Sequence, residues 1–231
     1  MGVLYSIIIP AYNEESRIEK TLIFVHDFFS KKGSFEIIVI TDGTDGTASL
    51  AKKVASKRKC IRIVEFKSRL GKGGAIKAGL DMASGKLLGF VDADMPVRAS
   101  DMYSLFTMLK DSDCAIASRN VPGSEVRRKA PLARRISSKV FGFYVNALFG
   151  LGISDTQCGA KAIRRQAYTQ IKDMIKSDGF EFDVEMLWHL KKAGLRISEI
   201  PVTWSHEDDS KFSLRYGPGM LASLLKTRVG A

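Results

Sequence analysis

Short apolar runs alternate with stripes of helical period through the first half of the chain. Tyr5–Pro10, Glu36–Thr41, Ile61–Phe66, Lys86–Val91 and Cys114–Ser118 are brief and dominated by apolar residues, the profile of strands inside a sheet. Between them, apolar residues recur three or four apart. Ile18, Leu22, Val25 and Phe29 form one such stripe. It belongs to a helix expected to start near Glu14, with Asn13 as N-cap and Glu14 and Glu15 in the first turn. Further helices are expected over Thr47–Lys57, Gly73–Ala83 and Asp101–Lys110. This alternation predicts an α/β fold, a mostly parallel sheet with crossover helices.

The second half is less regular. Pro131–Phe149 reads as a long amphipathic helix, followed by a loop at Asp155–Gly159, a strand at Ala160–Ile163 and a helix at Gln166–Ile175. A helix over Val184–Ala193, a strand over Arg196–Trp204 and a terminal helix over Gly219–Val229 complete the pattern. No internal repeat or low-complexity linker interrupts it.

Composition narrows the class. At 231 residues, 45% hydrophobic and 26% charged, the chain fits one globular domain, or one with an appendage. Lys and Arg number 36 against 25 acids, a net charge of +11, which suits a nucleotide, a nucleic acid or an acidic membrane surface. Much of the excess lies in Arg119, Arg127, Arg128, Lys129, Arg134, Arg135 and Lys139, opposed only by Glu125. No RNA-reading or zinc-ligand spacing appears, so nucleic acid is the weaker choice. Cys60, Cys114 and Cys158 are scattered, which fits a reducing cytoplasm. With no signal-peptide pattern and no run of roughly 18 apolar residues, a soluble or peripheral protein is expected.

Four polar sets follow the expected strands. Pro10-Ala11-Tyr12-Asn13-Glu14 leaves the first, with Tyr12 able to stack on a base and Glu14 able to accept from ring or ribose donors. Asp42-Gly43-Thr44-Asp45-Gly46-Thr47 leaves the second, its glycines permitting close approach of backbone to a ligand. Arg69-Leu70-Gly71-Lys72-Gly73-Gly74-Ala75 is a basic, glycine-rich turn ahead of a helix, suited to phosphates though lacking Walker spacing. Asp92-Ala93-Asp94 ends the run Leu87–Val91. Two carboxylates at a strand end fit a divalent cation and the phosphates it carries. Each set also has a plainer reading: packing for Tyr12, an ordinary turn at Asp42-Gly43, a strand stop and helix cap for the aspartates.

In this order, the four sets resemble the family 2 inverting glycosyltransferases of the GT-A fold. That family carries a PAYNE-type start, a DDGS-like second strand end, a GKG turn and a DXD metal motif. Within it the chain is similar to the polyprenol-phosphate sugar transferases. Asp155-Thr156-Gln157-Cys158-Gly159 with Lys161 is like the dolichyl-phosphate glucose synthases, and Ser210-Lys211 is like the group's donor-phosphate motif. The resemblance implies one GT-A, Rossmann-like domain over 1–231, its mostly parallel sheet flanked by helices. Residues 1–120 would bind the nucleotide sugar, and 121–231 would form a C-terminal amphipathic acceptor and membrane-contact region. It further implies that Pro10, Tyr12, Glu14, Ile40 and Asp42 hold base and ribose. Asp92, Ala93 and Asp94 would hold the diphosphate through Mg2+ or Mn2+, with Lys72 and Lys211 on the phosphates. Thr41 in place of the common first Asp, a shortened loop before Asp45, Pro96 in place of Gln and Ser205 in place of Arg depart from the mannosyl pattern. They tilt the donor from GDP-mannose to UDP-glucose.

Arg119, ending the fifth strand, is placed to face the donor and to grip an acceptor phosphate with its planar fork. On the following helix Ile136, Val140, Phe143 and Ala147 form a stripe flanked by Arg134, Arg135 and Lys139. By pattern this is a surface helix packed on the core. The resemblance favours instead an interfacial helix, its charges at anionic headgroups and at the acceptor phosphate. Alternatively, the same helix would anchor a partner subunit. Asp183 either N-caps the helix from Val184 or positions the acceptor, acting as base if the acceptor is a hydroxyl. His189 and His206 have no partner spacing and read as structural. The expectation is a hexosyltransferase from UDP-glucose to dolichyl or related polyprenyl phosphate, peripheral on the cytoplasmic face of a membrane. The enzyme alternative is a mannosyl transferase using GDP-mannose. A non-catalytic nucleotide-sugar or membrane-binding module is the alternative of another class; an aspartyl phosphatase is disfavoured by Met95-Pro96.

Overall fold

The apolar runs form the middle of one sheet in a computed structural model that describes residues 2–95, 97–128, 131–205 and 217–229, with backbone alone at 133, 134 and 218. Strands β1 (Tyr5–Ala11), β2 (Phe35–Thr41), β3 (Ile61–Glu65), β4 (Leu87–Val91) and β5 (Cys114–Ser118) alternate with helices α1 (Ile18–Phe29), α2 (Thr47–Ala55), α3 (Gly71–Met82) and α4 (Ala99–Met108). Then follow β6 (Glu125–Arg128), α5 (Leu132–Phe149), β7 (Ala160–Arg164), α6 (Arg165–Ile171), α7 (Phe182–Lys192), β8 (Ile197–Pro201), β9 (Thr203–Ser205) and α8 (Gly217–Val229). The sheet order is β3-β2-β1-β4-β7-β5-β8. Pairing is parallel except around β7, which runs antiparallel between β4 and β5. The second half of the chain therefore completes the sheet that the first half begins.

Helices cover both faces. Ile7 and Ile9 point to the layer of α1, α2 and α4, whereas Ile8 points to the layer of α3, α5, α6, α7 and α8. All three isoleucines are inaccessible to solvent. Burial on this scale is worth about 1.5–3 kcal/mol per side chain, which explains why a central strand reads as an unbroken apolar run.

Two expected boundaries move, and one unexpected strand appears. The first helix begins at Ile18, not near Glu14. Asn13 is no cap: it sits in the left-handed region at φ 53°, and its Oδ1 accepts the Thr44 N–H at 2.9 Å. The single strand expected over Arg196–Trp204 is two, β8 in the main sheet and β9 paired with β6. Strand β6, unanticipated, has the mostly exposed sequence Glu-Val-Arg-Arg and no apolar run to betray it.

Among the described residues, no helix is long and apolar enough to cross a membrane. Helix α5 packs inward through Val145 and Phe149. Its Leu132, Ile136, Val140 and Phe143 stay exposed, Phe143 at 79%. The plain expectation of a stripe packed on the core is thereby overturned: the face that packs is the other one.

Candidate active site

Strand order reverses at β1, whose neighbours are β2 on one side and β4 on the other. Crevices in open α/β sheets form at such points, outside the carboxyl ends of the strands. The pairing of β1 with β4 stops at Ile8 and Phe90, while β1 continues beside β2 to Ala11. Pro10 thus lies within the strand instead of closing it, opposite Ile40, where the β4 side is already open and its missing N–H is tolerated.

Several sequence-selected residues line this edge. The Arg69 guanidinium carbon lies 3.5 Å from the Tyr12 ring centroid, so one ring face is covered. Asp42, buried, accepts the Leu70 N–H at 2.8 Å and ties the end of β2 to the glycine-rich turn. Glu14, also buried, donates its N–H to Thr47 Oγ1 at 2.7 Å and pairs with Arg17 Nε at 2.8 Å. Gly43 has to be glycine, because a Cβ there would overlap Asn13 Oδ1. The Ile40 side chain is wholly buried in the α3 layer, so only its backbone is left to face the cleft.

The two aspartates after β4 differ sharply in surroundings. Asp92 receives Lys72 Nζ at 2.8 and 3.2 Å. Its N–H donates to the Gly159 carbonyl at 3.0 Å, and a Cβ on Gly159 would overlap its carboxylate. Asp94 Oδ1 is buried with no hydrogen-bond partner among the described residues. Burial, then the charges of Asp92 and Glu14, push the Asp94 carboxyl up to about 7, against weaker pulls from Lys72 and Arg17. An uncompensated acid between two others is a place where a cation would be welcome. Ala93 serves through its carbonyl, which accepts the Thr21 hydroxyl at 2.7 Å.

A chain of alternating charges runs inward from Asp92. Lys72 Nζ also lies 3.8 Å from Asp183 Oδ2, and Asp183 Oδ1 accepts from Lys161 Nζ at 2.6 Å. Lys161 and Asp183 are 1% and 2% exposed. Burial disfavours the Lys72 ammonium, but Asp92 and Asp183 outweigh it and hold its pKa above the ordinary value. Asp183 is the second residue of α7, with Glu181 before the helix and no side-chain cap. That rules out the N-cap reading. Lys161 is visible in sequence only as part of a likeness. A lysine in the middle of an apolar strand is itself a signal, because a buried charge demands a partner.

Arg119 is turned differently from expectation. Its Nε and Nη2 fork onto Asp155 at 2.7 and 2.8 Å, and its own N–H donates to Asp155 Oδ2 at 2.9 Å. Burial opposes ionisation of Asp155, yet Arg119 overcomes it and holds the carboxyl below its usual range. Glu199 braces the same loop from behind, accepting from Ser154 Oγ and from the Asp155 N–H. The fork expected to await a phosphate is thus largely engaged, although the Asp92 charge still reaches Arg119. Arg135 is exposed on α5, and Arg134 is described there by backbone alone. Lys211, Ser210, His206 and Pro96 lie outside the described residues.

This edge, with paired aspartates, a glycine-rich lysine turn and a Pro-Ala-Tyr-Asn-Glu exit, is matched over residues 6–172 by the family model described as glycosyl transferase family 2. The chain belongs to glycosyl transferase family 2. Family 2 relatives include a glycosyltransferase, AglD, of Haloferax volcanii, 33% identical over 98% of this chain and 37% of its own length. A dolichyl-phosphate β-glucosyltransferase of Dictyostelium discoideum is 32% identical over 91% of this chain and 69% of its own length. The chain thus spans little more than a third of the first of these relatives. Among solved structures, glucosyl-3-phosphoglycerate synthase of Mycobacterium tuberculosis, in complex with Mn2+, UDP-glucose and phosphoglyceric acid, superposes with a TM-score of 0.74. It is 19% identical, over 99% of this chain and 80% of that one, a likeness of fold: a mostly parallel sheet flanked by helices in the GT-A manner.

Proposed function

We propose that this family 2 protein transfers glucose, with inversion, from UDP-glucose to dolichyl or a related polyprenyl phosphate. The observation that carries the reading is the pair Asp92 and Asp94 at the reversal of strand order, with a buried, unpartnered Asp94 oxygen. The residues present fit a hard divalent cation: two carboxylates, one of them starved of hydrogen-bond donors. Asp92 and Asp94 would hold Mg2+ or Mn2+, which when bound offsets negative charge on the leaving diphosphate. The glucosyl relative supports this donor over GDP-mannose.

Pro10, Tyr12, Glu14 and Asp42 are assigned to base and ribose, with Lys72 and Lys211 on the phosphates. An acceptor phosphate is an anion at neutral pH. One of its oxygens forms the new bond to the anomeric carbon, while the bond to the diphosphate oxygen breaks and its electron pair leaves with UDP. No proton needs removing, so no strong base is required. Asp183, each oxygen turned to an ammonium group, holds charge in place near the acceptor instead of abstracting a proton. Arg119, Arg134 and Arg135 are assigned to the acceptor phosphate.

Residues 1–120 then form the donor part and 121–231 the acceptor part of one GT-A domain. Helix α5 carries no Asp or Glu, and an exposed apolar stripe beside Arg135 and Lys139 supports contact with an anionic membrane surface, on the cytoplasmic face. A donor panel with a short polyprenyl phosphate tests the whole reading. UDP-glucose is expected to turn over to a lipid-linked glucose. Turnover with GDP-mannose and none with UDP-glucose would overturn the donor, and binding of UDP-glucose without product would favour a non-catalytic module.

A further inference from the structure

Asp92 is saturated. Lys72 Nζ touches both of its oxygens, at 2.8 and 3.2 Å, and Gly159 packs against the same carboxylate. A divalent cation reaching Asp92 has to compete with that ammonium for the same two oxygens. A lysine on a flexible stem, unlike a forked arginine, is a point charge that swings readily between acceptors. It also has somewhere to go. Asp183 Oδ2 stands 3.8 Å from Nζ, with the other oxygen of Asp183 pinned by Lys161 at 2.6 Å. Asp183 is buried and held on the first turn of α7, so its second oxygen is a fixed station already within ion-pair reach of Lys72.

We infer that Lys72 is an internal counter-ion of the donor site: it occupies Asp92 until the cation and the diphosphate arrive together, then moves to Asp183 and the phosphates. The inference rests on the reading of Asp92 and Asp94 as cation ligands. Its consequences are two. Cation alone binds weakly, because it displaces Lys72 without offering the ammonium a phosphate. Cation with nucleotide binds well, because the displaced ammonium gains phosphate oxygens to replace the lost carboxylate. Lys161 acts as a positioning residue in this scheme, since it keeps Asp183 in place to receive Lys72.

The test is Mn2+ binding by the full chain, followed through the EPR signal of free Mn2+, with and without UDP. Lys72→Met is expected to tighten nucleotide-free Mn2+ binding by a factor within roughly the 5- to 150-fold range of ordinary site coupling. The same variant is expected to weaken UDP binding in saturating Mn2+. Opposite signs for the two ligands are the signature, because a lysine that only supports structure would weaken both. Lys72→Arg, which retains the charge, is expected to hold Asp92 harder and to loosen nucleotide-free Mn2+. Asp183→Asn removes the second station and is expected to loosen Mn2+ as well, although Asp183 touches no cation. Unchanged or weaker nucleotide-free Mn2+ binding in Lys72→Met, with loss of binding in Asp94→Asn, would overturn the Lys72 inference alone. Wild-type Mn2+ affinity in Asp94→Asn would overturn the cation site and the inference with it.

Discussion

Asp94 shows how an acid can be kept in a place where it is uncomfortable. Its carboxyl is pushed up to about 7, far above the ordinary carboxylate range, because burial and the charges of Asp92 and Glu14 all favour the proton. An acid whose folded pKa is raised leaves stability intact below the unfolded value. As pH climbs from about 4 to 7, the unfolded chain releases a proton that the folded one retains, so stability falls. Each tenfold difference in proton affinity between the two states is worth about 1.4 kcal/mol, and the total loss is on the order of a few kcal/mol. Asp94→Asn is therefore expected to abolish the proposed glucosyl transfer and yet to flatten the decline in urea-unfolding stability of the cation-free protein between pH 5 and pH 8. An unchanged pH slope would mean that Asp94 is not the group responsible. Arg119 sets the opposite problem. Because it neutralises buried Asp155, Arg119→Ala strands a charge, and loss of one partner of a buried pair typically costs about 3–5 kcal/mol. That variant is expected to lower Tm sharply, so its activity says little about the acceptor. Arg119→Lys keeps the charge and removes the fork. A raised KM for the polyprenyl phosphate with an unchanged Kd for UDP would support the acceptor role, and equal loss of both would count against it.

At the scale of elements, legibility follows whether the decisive contact is local. Strands β1, β2, β4 and β5 are readable because each is an apolar run buried on both faces, and α1 is readable from Ile18, Leu22, Val25 and Phe29. The start of α1 is not, because Asn13 is claimed by Thr44, 31 residues away. Nor is the place of β7, since antiparallel insertion between β4 and β5 depends on partners far along the chain. The donor edge is legible as motifs, but the pairings Arg119–Asp155 and Lys161–Asp183 are not, because sequence does not say which charges meet. Helix α5 is the element where pattern misleads in an informative way. Its stripe at Ile136, Val140 and Phe143 is amphipathic in period yet faces solvent, while Val145 and Phe149 face the core. The two faces should answer differently to mutation. Phe143→Asp is expected to leave Tm nearly unchanged and to abolish sedimentation with phosphatidylserine vesicles. Phe149→Ala is expected to cost about 3–5 kcal/mol of stability through the cavity it opens. Undiminished vesicle binding by Phe143→Asp would remove α5 from the membrane.

At the scale of the molecule, the proposed donor site is assembled from segments that only the complete sheet brings together. Glu14 follows β1, Asp42 follows β2, Lys72 opens α3, and Asp92 and Asp94 follow β4. Gly159 precedes β7, and Asp183 sits on α7. A ligand held by all of them binds only the folded chain, and so stabilises it by mass action. The charge chain from Asp92 to Lys161 makes this response conditional. Nucleotide without cation meets the unpartnered Asp94 and the Asp92 charge beside it, whereas nucleotide with cation relieves them. UDP with Mn2+, at about 100 times its Kd, is therefore expected to add about 2.7 kcal/mol. For a domain of this length that corresponds to a rise of roughly 5–10 °C in Tm. UDP with a chelator is expected to produce little shift. GDP with Mn2+ is expected to fall between the two, since it shares the diphosphate and lacks the fitted base. A larger shift with GDP than with UDP would reverse the donor assignment while leaving the cation site standing. An equal shift with and without chelator would do the reverse, and would assign the work of Asp92 and Asp94 to Lys72 alone.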